Sequence, residues 1–367
     1  MKRCKRCVMD ESDKDIVFED GICNYCKKYD EAIKSPFYQN EKLLHKMIKT
    51  LKSQNKKYDC LIGVSGGIDS SYLVILAKKW GLNPLLVHVD SGWNSELAIS
   101  NIEKLVDYSG FDLYTYVIDW NEIRDLQLSF FKAGVPNCDI TQDHAFVAAV
   151  YKSAIKFNIK YILNGNNIAT ELVLPKSWGY RYNDLTHIKD IHSKFGKLKL
   201  KNYPTMNFFE YNIYFRCIKK IKTLSPLNFI DYKIKQAKKE LQEIGYKEYQ
   251  AKHYESIFTK FFQSYYLVKK FGIDKRKAHL SNLILSNQIS RDEAIEILNT
   301  PAYDKNSINK DIEFVAKKLN ISLKEFNDIL NSPAKSHYDY KTNDKLVQFK
   351  LKFDKYFKCL DFNRIAI

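Results

Sequence analysis

The stretch from Cys60 to Leu73 has the residue types of a phosphate-binding loop. An apolar run, Cys60–Val64, stops at a Ser-Gly-Gly sequence, and a segment with helical character follows. Glycines let backbone N–H groups approach a phosphate closely, and the N-terminus of a helix attracts an anion. The sequence is neither a Walker A loop nor the Gly-x-Gly-x-x-Gly dinucleotide motif. We therefore predict that this loop binds a phosphate-bearing cofactor, with Val64, Ser65, Gly66, Gly67, Asp69 and Ser70 at the binding site.

Four of the eight cysteines lie near the N-terminus, in two Cys-x2-Cys pairs. Two residues between cysteines let both thiolates bind one metal, and two such pairs complete a tetrahedral site. A reducing compartment disfavours the alternative, a pair of disulfides. Four thiolates leave no position for water, so we predict a closed structural zinc site formed by Cys4, Cys7, Cys23 and Cys26.

The elements around the loop alternate between strand and helix. Predicted strands are Tyr58–Val64, Pro84–Asp90, Leu113–Ile118 and Tyr161–Leu163, and predicted helices are Ser70–Trp80, Ser95–Ser109, Trp120–Lys132 and Gln142–Phe157. A fifth strand at Thr223–Leu227 precedes a helix at Asp231–Ile244. This order predicts an α/β fold whose parallel sheet has right-handed crossovers.

Polar residues follow the predicted strands, where ligands of parallel sheets bind. His88 and Asp90 end the second strand, and Asn164, Gly165 and Glu171 come after the fourth. For His88 and Asp90, simple capping of the strand is an equal alternative. Glu171 is alternatively an exposed glutamate in the first turn of a helix.

The late sequence Phe-Gly-Ile-Asp-Lys-Arg places Lys275 and Arg276 at the start of a helix, where two cations oppose the helix dipole. An anionic ligand would explain them, and an exposed basic turn remains the alternative. Ser290 and Glu293 predict a capping box. Residues 308–332 and 341–357 predict small amphipathic helices, whereas residues 175–222 show no clear periodicity.

The 367-residue chain carries a net charge of +16 and 45% hydrophobic residues. This composition suits an ordinary globular core and anionic partners. The lysines are spread along the whole chain, so a solvated basic surface explains much of the charge and nucleic-acid binding is not expected. The chain begins Met-Lys-Arg-Cys without a signal peptide or an apolar span, so we expect a cytoplasmic protein without membrane contact.

The Ser-Gly-Gly-x-Asp-Ser sequence resembles the pyrophosphate loop of the PP-loop ATPases, which include several amide-forming synthetases and the tRNA thiolases. Three further features restrict the resemblance to one family within this superfamily. They are the cysteine pairs, His-Val-Asp-x-Gly-Trp-Asn at 88–94 and the Phe-Gly-Ile-Asp-Lys-Arg…His-Leu-Ser segment. Together they resemble the bacterial N-acetyl sugar amidotransferases over roughly residues 1–300. Those enzymes convert an acetamido group to an acetamidino group on pseudaminic acid, legionaminic acid or an O-antigen sugar.

The resemblance implies a HUP-like parallel sheet with helices on both faces and a particular division of the chain. The chain would begin with a four-cysteine zinc module at 1–30 and a linking helix at 31–57. A PP-loop ATP pyrophosphatase domain would follow at 58–230. A helical region at 231–300 would complete the active site, and residues 301–367 would form a small helical extension.

The resemblance also implies a mechanism that uses ATP and Mg²⁺. The N-acetyl oxygen attacks the α-phosphorus, pyrophosphate leaves, and ammonia displaces AMP. Ser65, Gly66, Gly67 and Ser70 would hold phosphate, and Asp69 and Glu171 would hold magnesium. Lys275 or Arg276 would add a positive clamp, and His88, Asp90, Asn164 and Gly165 would lie at the nucleotide.

The implied partners are an N-acetylated acidic or nucleotide-linked sugar and a source of ammonia. The ammonia would come from a HisH-like glutaminase, with a HisF-like subunit as a further partner, because this chain has no glutaminase motif. The main alternative is a tRNA thiolase, which generally needs a cysteine pair at the active-site rim. Only Cys138 follows the third strand, and Cys60 lies within the first. A zinc-knuckle nucleic-acid-binding protein with an inactive loop is a weaker alternative.

Overall fold

The computed structural model describes residues 1–54, 56–249 and 254–353. The N-terminal module contains a short hairpin and one helix, and a second helix leads to the sheet. These elements are β1 Phe18–Glu19, β2 Ile22–Cys23, α1 Asn24–Ala32 and α2 Glu41–Lys52.

A five-stranded parallel sheet forms the centre of the fold, as predicted. Its elements, with their connecting helices, are β3 Cys60–Gly63, α3 Ile68–Lys79, β4 Pro84–Asp90, α4 Glu96–Ser109, β5 Leu113–Val117, α5 Trp120–Ala133, α6 Ile140–Lys156, β6 Tyr161–Leu163, α7 Ile168–Glu171, α8 Leu185–Phe195 and β7 Lys222–Leu224. The strand order is β5-β4-β3-β6-β7. The chain therefore proceeds from β3 to one side of the sheet and returns to β6 on the other. The loops after β3 and β6 flank this reversal, which is where open α/β sheets bind ligands.

Apolar cores cover both faces of the sheet. Helices α3, α4 and α9 (Ile234–Glu243) pack on one face, and α5, α6 and α8 pack on the other. Strand β4 is buried along almost its whole length, because helices cover both sides of it.

The C-terminal region is helical, as predicted. Its helices are α10 Ile257–Phe261, α11 Leu267–Phe271, α12 Arg276–Leu285, α13 Arg291–Asn299, α14 Ile308–Leu319, α15 Leu323–Asn331 and α16 Asp344–Phe353. The capping box of Ser290 and Glu293 is present at α13. The part of the predicted helix 341–357 after residue 353 lies outside the described residues. None of the helices in the described residues is long and apolar enough to span a membrane.

One strand prediction was wrong in detail, and one segment without a prediction is helical. The fifth strand ends at Leu224, and a 3₁₀ helix, Pro226–Phe229, takes the place of its second half. Pro226 has no N–H group to donate to a strand ladder. The segment 175–222, which shows no clear periodicity, contains α8 and a π-helix at Glu210–Ile218.

Candidate phosphate-binding site and metal centre

The predicted phosphate loop leads from the end of β3 into α3. Gly66 has a φ of +83°, and a Cβ atom there would lie 3.0 Å from the carbonyl oxygen of Ala98. Only glycine fits this position without strain. Ser65 accepts a hydrogen bond from the Gly67 N–H at 3.2 Å, which holds the turn. The N-cap residue of α3 is Gly67, which has no side chain to cap the first turn, and a helix N-terminus of this kind attracts an anion.

The structure brings the two predicted magnesium carboxylates together. Tyr232 donates a hydrogen bond to Asp69 Oδ1, and Thr170 donates to Asp69 Oδ2 at 3.3 Å. Burial raises the pKa of the Tyr232 hydroxyl well above its usual range, and the charges of Asp69 and Glu171 add to this effect. Both carboxylates therefore lie near one hydroxyl. Magnesium is bound in proteins by one or two carboxylates together with phosphate oxygens, so this pair fits the ion.

The loop after β6 packs directly on the start of α3. A Cβ atom on Gly165 would lie 2.8 Å from the backbone nitrogen of Ser70 and 2.9 Å from the carbonyl carbon of Asp69. Asn164 Oδ1 accepts hydrogen bonds from Ser225 Oγ at 2.8 Å and from a backbone N–H. Gly165 thus permits the close approach, and the Asn164 amide oxygen is already used within the protein.

His88 and Asp90 lie at the carboxyl end of β4, where they support the loop. The His88 Nδ1 atom is 3.0 Å from the carbonyl oxygen of Val64, and Nε2 is 2.9 Å from Asn94 Nδ2. Asp90 Oδ1 accepts hydrogen bonds from Gly92 N and Asn94 Nδ2. These contacts occupy both ring nitrogens of His88 and hold Val64 in place.

Arg276 does not reach the phosphate loop, contrary to the prediction. Its guanidinium group donates to Asp274 and to the carbonyl oxygens that end α13, at Ile297, Thr300 and Pro301. Along α12 it lies about ten residues, or ~15 Å, from Ser286, which donates to the carbonyl of Ala169 beside the site. Arg276 therefore joins two helices. The charge of Asp274 offsets the unfavourable position of the cation at the helix N-terminus.

Lys275 lies at a second group of charges near the carboxyl edge of the sheet. Its Nζ atom is 3.0 Å from Asp139 Oδ2, at the start of α6. Ser91, which follows β4, donates a hydrogen bond to Gln142 at 2.9 Å, so the N-terminus of α6 lies at the carboxyl edge of the sheet. Lys275 is thus on the expected side of the sheet, but it pairs with a carboxylate.

Asp143 is a residue of this second group that the sequence analysis missed. Its side chain is exposed, yet the surrounding protein and then the charge of Asp139 raise its pKa to about 7, against the effect of Lys275. Val150 lies seven residues later on the same face of α6, 3.7 Å from the position of a Cβ atom on Gly63. Asp143 therefore lies ~10 Å along α6 from the end of β3, at the carboxyl edge of the sheet.

Three residues from the segment after α9 also contact the loop. Tyr246 and Tyr249 donate hydrogen bonds to the carbonyl oxygen of Gly66 at 2.7 and 3.1 Å. A Glu255 carboxylate oxygen lies 3.1 Å from the position of a Cβ atom on Gly67. Nothing in the local sequence identifies these contacts, because they depend on how the helical region folds back over the sheet.

The four N-terminal cysteines form a buried group that fits one metal ion. Their Sγ atoms lie within 4.8 Å of one another, with distances of 3.6 to 3.7 Å for the closest pairs. Tetrahedral ligation at a metal–sulfur distance of about 2.3 Å puts neighbouring sulfurs roughly 3.8 Å apart. In an iron–sulfur cubane each cysteine binds a different iron, which needs wider spacing. Among the described residues this is the one group of three or more such side chains at ligand spacing.

The cysteine module is attached to the C-terminal helices. Arg291 of α13 donates to the carbonyl oxygens of Cys7 and Cys4 at 3.2 and 3.1 Å. Lys277 of α12 pairs with Asp10 at 2.7 Å. The cysteine module thus contacts the helix that carries Ser286 to the phosphate site.

The cysteines near the sheet are not at the rim. Cys138 is fully buried and donates to the carbonyl oxygen of Val135, and burial raises its pKa well above the usual range. Cys60 is also fully buried, within β3.

A groove of ≈ 480 Å³ between α3, α4 and α9 lies at the C-terminal end of α3, opposite the phosphate loop.

Residues 255–354 match the family model described as the C-terminal domain of WbpG-like LPS biosynthesis proteins. The uncharacterized protein MJ1599 of Methanocaldococcus jannaschii is 26% identical over 171 residues, which is 45% of this chain. The match covers 59% of MJ1599, so the chain spans less than two thirds of that relative's length. The C-terminal region that packs on the sheet is thus similar to a domain of LPS biosynthesis proteins.

Three solved structures share parts of the architecture at low similarity. NMN synthetase from Francisella tularensis has a TM-score of 0.31 and 15% identity, and the match covers 80% of this chain and 93% of that one. The U34-tRNA thiolase NcsA from Methanococcus maripaludis with its [4Fe-4S] cluster has a TM-score of 0.34 and 12% identity, with 90% of this chain and 89% of that one covered. Phosphoadenylyl-sulfate reductase from Candida auris has a TM-score of 0.28 and 11% identity, with 49% of this chain and 88% of that one covered. Scores of this size carry no conclusion about activity.

Proposed function

We propose that this chain is an ATP-dependent amidotransferase that converts the N-acetyl group of a bacterial surface sugar to an acetamidino group. The observation that carries the proposal is the juxtaposition of Asp69 and Glu171 at an uncapped helix N-terminus. The match of residues 255–354 to a WbpG-like LPS biosynthesis domain supports a sugar as the acceptor. A PP-loop without a Walker lysine supports cleavage of ATP to AMP and pyrophosphate.

In the first step the acetamido oxygen of the sugar forms a bond to the α-phosphorus of ATP, and the bond to the pyrophosphate group breaks. Ser65, Gly67 and the uncapped N–H groups of α3 hold the phosphates in place. Asp69 and Glu171 would hold Mg²⁺, which neutralises charge on the departing pyrophosphate. Tyr232 and Thr170 orient the Asp69 carboxylate toward the loop.

In the second step ammonia adds to the activated carbon, and AMP leaves with the former acetamido oxygen. The attacking nitrogen must lose a proton. Asp143 is suited to accept it, because it is exposed at the carboxyl edge of the sheet and its pKa of about 7 matches the working pH. The products are the amidine, AMP and pyrophosphate, so atoms balance without a further reactant.

We also propose a structural role for the four-cysteine centre, with zinc as its metal. Complete thiolate ligation and the attachment to α12 and α13 support this role. Ammonia would come from a separate HisH-like glutaminase, with a HisF-like subunit as a further partner.

The experiment that tests the proposal is incubation of the purified chain with ATP, Mg²⁺, ammonium and a panel of N-acetylated sugars. Mass spectrometry should find an amidine product, with AMP and pyrophosphate in equal amounts. Asp69→Asn should lower this activity strongly while the protein remains folded. Formation of ADP and phosphate as the stoichiometric products would overturn the proposal.

A further inference from the structure

The π-helix at Glu210–Ile218 places an arginine in an unusual environment. Arg216 is only 8% exposed, and its Nη1 atom has no hydrogen-bond partner among the described residues. Its guanidinium carbon lies 5.4 Å from the centre of the Tyr211 ring. A buried cation without an anionic partner costs several kcal/mol. The half-buried Lys275 and Lys277, by contrast, each pair with a carboxylate.

The π-helix itself sets this arrangement. In an α-helix, neighbouring side chains are three or four residues apart, so residues 211 and 216 would face different directions. In the π-helix each hydrogen bond spans five residues, as the bond from Lys219 N to Tyr214 O at 2.8 Å shows, and the guanidinium of Arg216 lies over the Tyr211 ring. Tyr211 and Arg216 therefore lie on one face. π-Helical turns are rare and frequently occur at functional sites.

Tyrosine hydroxyl groups surround the guanidinium. The ring centres of Tyr151 and Tyr211 are 5.6 Å apart, and Tyr151 stacks on Phe215 with a distance of 5.1 Å between ring centres. Burial raises the pKa values of the Tyr151 and Tyr182 hydroxyl groups. The positive charge of Arg216 lowers both pKa values, because the guanidinium is near enough to interact with both hydroxyls. The Tyr182 hydroxyl also interacts with Tyr211, and the Tyr182 side chain is 36% exposed. Tyr182 is thus the member of the group that is also part of the protein surface.

The group lies on the face of the sheet that α6 covers, to one side of β3. Tyr151 Oη is 2.9 Å from Thr223 Oγ1 in β7, and β7 is two strands from β3. Two strand spacings amount to ~10 Å, and Thr223 aligns through Ile162 with Leu61, which is three residues or ~10 Å before Val64. The preceding residue, Val150, contacts the position of a Cβ atom on Gly63. The two neighbouring residues of α6 thus face the two sites.

We propose that Arg216, with the hydroxyl groups of Tyr151, Tyr182 and Tyr211, binds the oxyanion of the acceptor, either a carboxylate or a phosphate. A guanidinium fork matches both anions, and tyrosine hydroxyls supply further donors. The identification of the ligand as the sugar acceptor rests on the proposed function. The anion site itself does not, and it can be tested without ATP.

The test is calorimetric titration of the full chain and its variants with matched probes. N-Acetylneuraminic acid and its methyl ester distinguish a carboxylate from a neutral sugar, and UDP-N-acetylglucosamine and N-acetylglucosamine do the same for a diphosphate. We expect the charged member of at least one pair to bind more tightly. Arg216→Met should weaken that binding about 10-fold to 100-fold, the loss of a charge-assisted hydrogen bond of 1.5–3 kcal/mol.

Conservative variants distinguish a loss of anion binding from a loss of the folded structure. Tyr182→Phe keeps the exposed ring and should weaken binding by about 2-fold to 10-fold. Tyr214→Phe is the matched control, because Tyr214 lies on the same π-helix, is 38% exposed and has Lys219 Nζ, not Arg216, over its ring. Equal affinities in wild type, Arg216→Met and Tyr182→Phe, or no binding of any charged probe to wild type, would overturn the inference. Arg216-dependent binding without AMP formation from any sugar would uphold the anion site and reject the proposed function.

Discussion

Gly165 and Ser70 are in such close contact that no side chain fits between them. A Cβ atom on Gly165 would lie 2.8 Å from the Ser70 backbone nitrogen, so the loops after β6 and β3 cannot separate without moving Asp69 from Glu171. Gly165→Ala should therefore lower ATP-dependent activity by at least 10-fold and reduce thermal stability. Gly179→Ala is the control, since no atom lies within 4 Å of its Cβ position. Pyrophosphate exchange kinetics measure the effect, and full activity in Gly165→Ala would show that the contact is not needed.

Asp143→Asn should separate the two chemical steps. Removal of the proton acceptor should slow amidine formation by about 10²-fold to 10⁴-fold, whereas sugar-dependent pyrophosphate exchange should persist. Because the Asp143 pKa is about 7 and the ionised form accepts the proton, the wild-type rate per free ammonia should rise through pH 7. The variant should lack this rise.

The charged groups facing Asp143 are Asp139 and Lys275, and Tyr203 lies nearby. Asp107→Asn, at the distant groove, is the control and should keep the wild-type pH profile. If Asp143→Asn retains the inflection near pH 7, another group accepts the proton.

The metal centre should be required for stability. Cys4→Ser removes one thiolate from a complete set of four, so the purified variant should contain little zinc and unfold at a lower temperature. Plasma emission spectroscopy and calorimetry measure the two effects. Cys138→Ser should keep the metal, the stability and the AMP-forming activity, because Cys138 lies buried elsewhere and only donates to Val135. Loss of activity in folded Cys138→Ser would favour sulfur chemistry.

His144 should make the protein sensitive to acid. Its Nδ1 atom is 2.6 Å from the Tyr182 carbonyl oxygen and its Nε2 atom accepts from Met206 N, and burial lowers its pKa to about 4. Below pH 6.5 the unfolded chain binds the proton first, so stability should fall as pH decreases from 6.5 to 4, by up to ~3 kcal/mol. Urea unfolding at several pH values measures this. His144→Gln should be less stable at pH 7 and show a shallower pH dependence, and an unchanged slope would contradict the assignment.

The order of strands and helices could be predicted because apolar runs and helical periodicity are local signals. Asp69 and Glu171 were paired through the family resemblance, because the strand pattern places both at the carboxyl edge but does not by itself assign them to one metal ion. Arg276 was misplaced, since its acceptors at residues 297–301 lie outside its local sequence. Asp143 was missed because its environment depends on Lys275. Arg216 was missed because a π-helix departs from the 3.6-residue periodicity by which helices are found in a sequence.

Oxygen-18 transfer tests the central claim, that the sugar's acetamido oxygen attacks the α-phosphorus, most directly. The acceptor is labelled in its acetamido carbonyl and converted with ATP and ammonium, and the AMP is analysed by mass spectrometry. The account predicts one labelled oxygen in each AMP molecule and none in pyrophosphate. Label that remains on the sugar, or that appears in water while AMP is unlabelled, would contradict the account.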